Sequence, residues 1–320
     1  MIKGLAITPP VIGRISIGRL VCKNDKWLPE KDDSFTLTTQ IKNKGEWLLH
    51  PLHQKLSEAA PNQKIRAIPV RMLFNDTDLN LRAEYSAFDR QTGRPLCVGD
   101  GEKARRVSAA GGTEEQPCAG PQFCPYAREH GCKLYGRLNV QVDGQGDELA
   151  SFIFRTTGYN SVRTLAARLR YFEAVSGGNT KHLPLMLKLR AKSTTQSHRA
   201  PVFYVDLTLR HDDNLADAVA YARSEAQRHA EAGVETERLE EVARQALLNG
   251  VFEDSEDEAP AIVEEFFPEA ETATAAGDSS LSDAPKPPSI STNSPPASPH
   301  TRPNRVTPRL GQPGGSSDEK

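Results

Sequence analysis

The sequence predicts an α+β fold with a mainly antiparallel sheet, and two observations support this class. Several segments before residue 211 alternate apolar and polar residues with the period of two that is typical of strands. One amphipathic helix is predicted among the later strands, and a helical segment follows the last strand. This order lacks the regular βαβ alternation of a doubly wound fold and favours an antiparallel sheet.

The predicted strands are rich in β-branched or aromatic residues and are bounded by polar, proline or glycine residues. They are SFTLTTQI from Ser34, KIRAIPVRMLF from Lys64, NLRAEYSAFD from Asn80, RPLCVGDG from Arg94, LYGRLNVQVD from Leu134, LASFIFRTT from Leu149, LPLMLKLRAKST from Leu183 and APVFYVDLTLR from Ala200. The last two flank the polar turn TQSHR. RPLCVGDG indicates a short strand that enters a tight glycine turn.

One internal helix is predicted over NSVRTLAARLRYFEAVSGG, with an N-cap at Asn160 or Ser161 and an end at Gly177. Its apolar residues recur at helical spacing, and Arg163, Arg168 and Arg170 fall away from that stripe. After the last strand, residues 214–250 indicate two helices interrupted at Gly233, or one kinked helix. Their many alanines predict a thin amphipathic pair that either docks on the sheet or projects as an arm.

Composition divides the chain into an α+β body at residues 1–210, a helical extension at 211–250 and a tail at 251–320. The tail holds 13 acidic and 5 basic residues, a net charge of −8, whereas residues 1–250 hold 29 acidic and 35 basic residues, a net of +6. The tail is also rich in proline and serine and has little to build a core from, which predicts disorder.

One apolar patch lies within this acidic tail. The segment AIVEEFFPE, residues 261–269, sets Ile262, Val263, Phe266 and Phe267 among carboxylates. That composition is typical of a short motif that becomes ordered in the groove of a partner protein. The alternative is a loose end that touches its own domain.

Four cysteines form a candidate metal site. Cys118, Cys124 and Cys132 are separated by gaps wider than those of a zinc knuckle, and Cys97, beside a glycine turn, is the natural fourth ligand. Four thiolates suit tetrahedral structural zinc, because soft sulfur ligands bind it tightly and leave no open coordination position. We therefore expect a zinc-stabilised region at residues 97–132, rich in proline and glycine, whose irregular backbone the metal would hold in place.

Several alternatives to this zinc site stay open. His130 can replace Cys97 as the fourth ligand, an iron–sulfur cluster is also satisfied by four cysteines, and the thiols can simply be metal-free neighbours. Redox catalysis is disfavoured, since the sequence has no Cys-x-x-Cys motif. Cys22 lies far from the cluster and is expected to be a small buried residue.

Basic residues surround the cysteines, and three more basic residues lie on the internal helix. Two interpretations remain: contacts to phosphates or to an acidic protein surface, or an offset to the negative charge of four thiolates. The candidate contact residues are Lys103, Arg105, Arg106, Lys133, Arg137, Arg163, Arg168 and Arg170.

Motifs of catalysis are missing from the sequence. It has no Gly-x-Ser-x-Gly and no His-Glu-x-x-His, and VGDGEKARR lacks the remaining spacing of a phosphate-binding loop. The adjacent carboxylates of RHDDN, residues 210–214, can bind a metal as in a nuclease, but a helix N-cap with acidic residues explains them more simply. Because these motifs are missing, we expect a protein without enzymatic activity. No signal peptide or membrane-spanning stretch is found, so we also expect a cytoplasmic protein without a membrane partner.

Two segments in this order resemble a known family. They are RPLCVGDGEKARR…PCAGPQFCPYAREHGCKLYGRLNVQV and FIFRTTGYNSVRTLAARLRYFEAVSGG, the latter leading to LPLMLKLRAK and PVFYVDL. Together they are similar to the recombination directionality factors of the large phage type that act on serine integrases, and to their relatives in prophages and integrative elements. The resemblance spans about residues 1–210.

The resemblance implies a non-enzymatic regulator of a mobile genetic element, which binds a site-specific recombinase and shifts it from integration toward excision. It also implies that the four cysteines hold zinc. The runner-up is an accessory protein of the same kind of element that binds nucleic acid through its basic residues. A metal-dependent hydrolase is the third reading and would need an open metal site.

Overall fold

The computed structural model describes residues 10–23, 26–43, 46–108, 111–193, 201–210 and 214–249, together with Ile262, Val263 and Phe266. The side chains of residues 19–31 and 247–249 are not part of this description. All of these residues belong to one unit, Met1–Glu271, and the second unit, Thr272–Lys320, contains no described residue.

The described chain forms one mixed sheet of twelve strands. The strands are β1 (Val11–Lys23), β2 (Lys26–Asn43), β3 (Glu46–Leu49), β4 (Ala67–Met72), β5 (Leu81–Phe88), β6 (Pro95–Gly99), β7 (Lys103–Val107), β8 (Thr113–Pro117), β9 (Lys133–Val142), β10 (Ser151–Thr156), β11 (Leu185–Ser193) and β12 (Pro201–Leu209). The main path runs in the order β3-β2-β1-β10-β9-β5-β6-β7-β8. A branch continues from β9 through β4 and β11 to β12.

Strand β9 is the branch point of the sheet. One edge of β9 pairs with β10, and its other edge pairs first with β5 and then with β4. Every described strand pair is antiparallel except β1 with β10, where Val11 lies opposite Ser151. The sheet is therefore mostly antiparallel, as the sequence predicts.

Six α-helices accompany the sheet within the described residues: α1 (Pro51–Ala59), α2 (Thr77–Asn80), α3 (Pro125–His130), α4 (Tyr159–Ser176), α5 (Leu215–Glu231) and α6 (Thr236–Asn249). Helix α4 begins after Gly158, without a side-chain cap, and ends at Gly177, whose φ of 67° is left-handed and favours glycine. The expected N-cap at Asn160 or Ser161 is wrong by two or three residues, because Gly158 is the N-cap and the helix begins at Tyr159.

The main core lies between the sheet and α4. Leu165, Leu169 and Phe172 of α4 are buried with Phe152 and Phe154 of β10 in one apolar cluster. Their spacing of three or four residues places them on one face of the helix, so the helix covers the sheet with its apolar stripe. The cluster also includes residues of β2, β4, β9, β11 and β12.

The two C-terminal helices pack against the rest of the unit. Ala218 and Ala222 of α5 are buried in the main core, and Ala243 of α6 packs with Leu73 and Phe74. Of the two expected arrangements, docking or a projecting arm, the structure has the docked one. Within the described residues no helix is both long and apolar enough to cross a membrane.

The predicted strands are all present, and the internal and C-terminal helices lie where the sequence places them. The expectation of one internal helix is wrong, because α1, α2 and α3 also precede β11. Helix α1 starts with Pro51, and the ring of His50 accepts a hydrogen bond from the backbone N–H of Leu52 at 3.2 Å, which are start signals that hydrophobic periodicity does not reveal. The turn TQSHR and the side chain of Cys22 lie outside the described residues.

Candidate functional site: the cysteine region

Cys97 lies in the middle of β6, between two strands. It is opposite Ala87 of β5 on one side and opposite Arg106 of β7 on the other. Its side chain is buried with Ala87 and Ala104 in a small apolar cluster. The side chain of Cys97 therefore lies on the face of the sheet that carries this small apolar cluster.

The other three cysteines lie in the cysteine loop, residues 118–132, which joins β8 to β9. Cys124 precedes the short helix α3, whose first residue is Pro125 and whose end is set by Gly131 with a φ of 68°. The backbone N–H of Cys132 donates to the carbonyl of Ala127 at 3.0 Å, which returns the chain toward β9. Short helix and turn together place the loop over β6 and β7.

The structure brings the four predicted ligands together. Cys118 and Cys132 pack against the cluster that contains Cys97. A Cβ atom added to Gly99 would lie 2.8 Å from Cys118 Sγ, so only glycine leaves room for that sulfur beside β6. The Cys124 sulfur lies 3.8 Å from Arg106 Nη2 on the neighbouring strand.

Arg106 is the cation of this site. Its guanidinium carbon lies 3.8 Å from the centre of the Tyr126 ring, and Nη2 donates to Cys124 Sγ. Gln116, with its amide oxygen turned toward Arg106, accepts from Nε at 2.6 Å. Of the two interpretations of the basic residues, the position of Arg106 beside Cys124 favours the one in which positive charge would offset the negative charge of thiolates.

Burial favours the protonated form of two of the thiols, those of Cys97 and Cys132. Burial raises the pKa of the Cys97 thiol, and a hydrogen bond from Arg106 opposes this shift. Burial, with the neighbouring cysteines Cys97, Cys118 and Cys124, raises the pKa of Cys132 to about 12. The four cysteines are free thiols.

The sulfurs do not form a complete ligand set as they stand. Among the described residues, no group of three or more His, Cys, Asp or Glu side chains has an arrangement that could hold a metal ion. His130, the alternative fourth ligand, stacks on Tyr126 with ring centres 3.8 Å apart. The chemistry of the donor set suits zinc, but zinc binding at Cys97, Cys118, Cys124 and Cys132 stays a prediction.

The remaining basic residues near the cysteines have local partners. Lys103 Nζ lies 3.0 Å from Glu115 Oε1 across β7 and β8, and Arg105 is opposite the same glutamate. Arg137 is buried on β9, where its Nη2 lies 2.8 Å from Glu84 Oε2. Arg137 therefore supports the β5–β9 pair rather than presenting its charge at the surface.

The three arginines of α4 separate into two kinds. Arg168 Nε lies 3.0 Å from the buried carboxylate of Asp206 on β12, so it ties the helix to the sheet. Arg163 and Arg170 are exposed, two turns apart on the helix. Exposed Tyr159 and Tyr171 lie on the same helix, which makes this surface rich in arginine and tyrosine.

Sequence reasoning missed one residue of the cysteine loop that stands out in the structure. Phe123 is 76% exposed, directly before Cys124. Aromatic side chains are enriched in the cores of protein interfaces, which makes Phe123 a candidate contact residue. The signal was present in the sequence, since Phe123 is an aromatic residue inside an otherwise polar, proline-rich and glycine-rich loop.

The acidic pair of RHDDN, Asp212 and Asp213, lies outside the described residues. The next residue, Asn214, caps α5, because its side chain accepts from the backbone N–H of Asp217 at 2.9 Å. A helix start at this position agrees with the simpler of the two interpretations.

The chain was also compared with known proteins. The sequence model of the Gp3-like family, described as recombination directionality factor-like, matches residues 12–210. The comparisons with curated proteins and with solved structures found no match. The matched range runs from the second residue of β1 to just beyond the end of β12, so it spans all twelve strands and the cysteine loop.

Proposed function

Because the chain belongs to the Gp3-like, recombination directionality factor-like family, we propose that it regulates site-specific recombination in a phage or integrative element by binding the recombinase. The observation that carries the proposal is the family match across the entire sheet. The family is typically non-catalytic, and we propose that this member likewise acts without a reaction of its own.

Regulation by binding requires a difference in affinity. A factor changes the direction of recombination only if it binds one arrangement of the recombinase more tightly than another. A change from mostly integration to mostly excision needs a difference of about 10⁴-fold between the two arrangements. A large contact surface with strong anchor residues meets this need better than a few weak charge pairs.

Phe123 is our candidate anchor for the recombinase. It is exposed on the same cysteine loop as Tyr126, whose ring stacks with Arg106. Aromatic and arginine side chains dominate the binding energy of protein interfaces. The three cysteines of the loop, together with Cys97 of β6, would then set the position of the anchor.

We propose structural zinc as the group that fixes this loop. Cys97, Cys118, Cys124 and Cys132 would hold it, and zinc would supply a tetrahedral cross-link between β6 and the loop. The convergence of the four cysteines beside Arg106 supports this assignment. The role is to hold Phe123 in place, not to activate water or substrate.

A second candidate function is DNA binding by α4. Arg163 and Arg170 are exposed there with Tyr159 and Tyr171, a combination that suits phosphate contact and base stacking. This reading predicts that binding to duplex DNA weakens steeply with salt. Replacing both arginines by glutamine should then reduce the slope of log affinity against log salt by about 2.

The test of the first function compares two exposed apolar side chains that lie in connections between strands. Phe123→Ala should weaken binding to the recombinase of the native element by at least about 10-fold, measured by interferometry with nuclease-treated proteins. Leu149→Ala is the matched control, because Leu149 is 79% exposed in the turn between β9 and β10. The control should change affinity by less than about 2-fold.

Two results would count against the proposal. The first is no binding of the wild-type chain to the recombinase, in the absence and in the presence of its attachment-site DNA. The second is equal affinity for Phe123→Ala and Leu149→Ala, which would remove the loop from the interface while leaving recombinase binding intact. An affinity pull-down from the native host, treated with nuclease, identifies the partner in the first case.

A further inference from the structure

The apolar patch of the tail lies on the body of the same chain. Ile262 and Phe266 are fully buried in one cluster with Phe88 and Tyr135. Ile262, Val263 and Phe266 have helical backbone, so Ile262 and Phe266 lie on the same face, four residues apart. Of the two interpretations of this segment, the structure has the contact with its own domain.

The ring of Phe266 sits in an aromatic cage. Its centre is 4.8 Å from that of Phe88 and 5.7 Å from that of Tyr135, and both pairs meet edge to face. Phe88 and Tyr135 also contact each other edge to face at 5.3 Å. The three rings contact one another edge to face, which is a preferred geometry of aromatic pairs. Phe88 and Tyr135 therefore form a specific binding position for the Phe266 ring, here called the seat.

Lys133 completes the seat with a positive charge. Its Nζ lies 4.4 Å from the centre of the Phe266 ring and donates to the backbone carbonyl of Phe266. Lys133 and Tyr135 lie two residues apart on β9, so they face the same side of the sheet. A cation over the ring and at the carbonyl end of a helical turn favours an aromatic residue in a helical, acidic segment.

This seat adjoins the cysteine region. Lys133 directly follows Cys132, and Phe88 directly follows Ala87, which packs with Cys97. The same strands therefore support the cysteines and the seat.

We propose that Phe88, Lys133 and Tyr135 form a peptide-binding groove for a short helical segment that carries an aliphatic and an aromatic residue four positions apart among carboxylates. Residues 262–266 are its resident ligand, and they block the groove until a recombinase segment of the same chemistry displaces them. The identity of this partner rests on the proposed function, whereas the groove and its resident ligand do not.

Tethering makes the resident ligand an effective competitor. Residues 250–261 connect it to the end of α6, and a short connection gives an effective concentration in the millimolar range. If the resident segment binds the empty groove with an intrinsic Kd of about 50 μM, an effective concentration of about 1 mM is about 20 times that Kd and weakens the apparent affinity of an added ligand by about 20-fold. Loss of the resident contacts should strengthen binding of an added peptide by about 10-fold or more.

The experiment uses the full chain and a fluorescent peptide with the sequence of residues 258–270. Phe266→Ala empties the seat, and Val263→Ala is the matched control, because Val263 is in the same segment but outside the buried cluster. By fluorescence anisotropy, the Phe266→Ala chain should bind the peptide at least 10-fold more tightly than the wild-type and control chains. Adding Lys133→Met to Phe266→Ala should remove most of this gain.

The outcomes separate the groove from its partner. If the Phe266→Ala chain binds the peptide no better than the wild type does, the groove is overturned, whatever the recombinase does. If the peptide binds as expected and Phe266→Ala also strengthens recombinase binding by at least 10-fold, both parts are supported. A peptide gain with unchanged recombinase affinity keeps the groove and overturns the recombinase as its partner. Wild-type chain that binds no recombinase overturns the proposed function alone.

Discussion

Asp206 is the buried carboxylate that ties α4 to β11 and β12. Its Oδ1 lies 3.0 Å from Arg168 Nε of α4, and its Oδ2 lies 2.7 Å from Arg190 Nε of β11. Burial disfavours the charged form, but the hydrogen bonds from both arginines outweigh it and hold the pKa of Asp206 below its usual value. We predict that Asp206→Asn destabilises the protein, because the amide carries no charge for the two guanidinium groups.

The size of the loss follows from the exposure of the partners. A hydrogen bond to a charged group contributes about 1.5–3 kcal/mol. The side chains of Arg168 and Arg190 are 43% and 42% exposed, so solvent screens both pairs and we take about 1 kcal/mol for each. The free energy of unfolding should therefore fall by about 2 kcal/mol, which lowers Tm by about 4–8 °C.

Urea unfolding followed by circular dichroism measures this difference, with Arg238→Gln as the control. Arg238 pairs with Glu235 at 3.3 Å on the exposed side of α6, and its loss should cost less than about 0.5 kcal/mol. Because the folded pKa of Asp206 lies below the unfolded value of 3.8, the stability from these pairs is present above pH 3.8 and is lost as the pH falls further. A loss below about 0.5 kcal/mol at pH 7 for Asp206→Asn would refute the reasoning, as would an equal loss at pH 7 and at pH 3.

Three further predictions test the cysteines, a buried histidine and a close contact. Cys97→Ser should lower the zinc content of reduced protein from about one ion per chain to near zero by elemental analysis, whereas Cys22→Ser should retain it; equal zinc in both variants would contradict the four-cysteine site. Burial lowers the pKa of His182 from 6.5 to about 4. Because the unfolded chain then binds an extra proton as the pH falls, lowering the pH from 7 to 5 should reduce the free energy of unfolding, measured in urea, by about 2 kcal/mol. His182→Gln should lose correspondingly less, and an identical pH dependence would contradict this. An added Cβ on Gly136 would lie 2.7 Å from a methyl group of α4, so Gly136→Ala should lower the free energy of unfolding by about 1–3 kcal/mol. Gly112→Ala is the control, because its nearest atom lies at 3.7 Å, and it should lower that energy by less than about 0.5 kcal/mol. Equal Tm values for the two variants would argue against tight packing at Gly136.

The strands were predictable where one face is buried. In β11 the alternation of Leu185, Leu187 and Leu189 with more exposed residues is a direct consequence of the pleat, so the sequence carries the signal. Strand β1 was not predicted, although Ile15 and Ile17 alternate in the same way, since Gly13 and Gly18 interrupt the pattern. Helix α3 is too short for periodicity, and only its proline and glycine mark its ends.

The proximity of Cys97 to the cysteine loop could be expected from the sequence, and Cys118 and Cys132 do pack against the cluster that contains Cys97. That these cysteines hold a metal stays a prediction, and the surroundings of the site could not be predicted. The expected role of Arg137 and Arg168 as surface contacts could not be judged from the sequence. Their partners, Glu84 and Asp206, lie far away along the chain, and only the tertiary fold brings the charges together.

The parallel pair of β1 and β10 links the beginning of the chain to a segment near its middle. Val11 lies opposite Ser151, so about 140 residues separate the two strands. During synthesis at about 5–20 residues per second, one edge of β1 waits roughly 7–28 seconds for its neighbour to leave the ribosome. Until then the hairpin of β1 and β2 has an open edge that can pair with other chains, so the order of translation leaves this edge unprotected for that time.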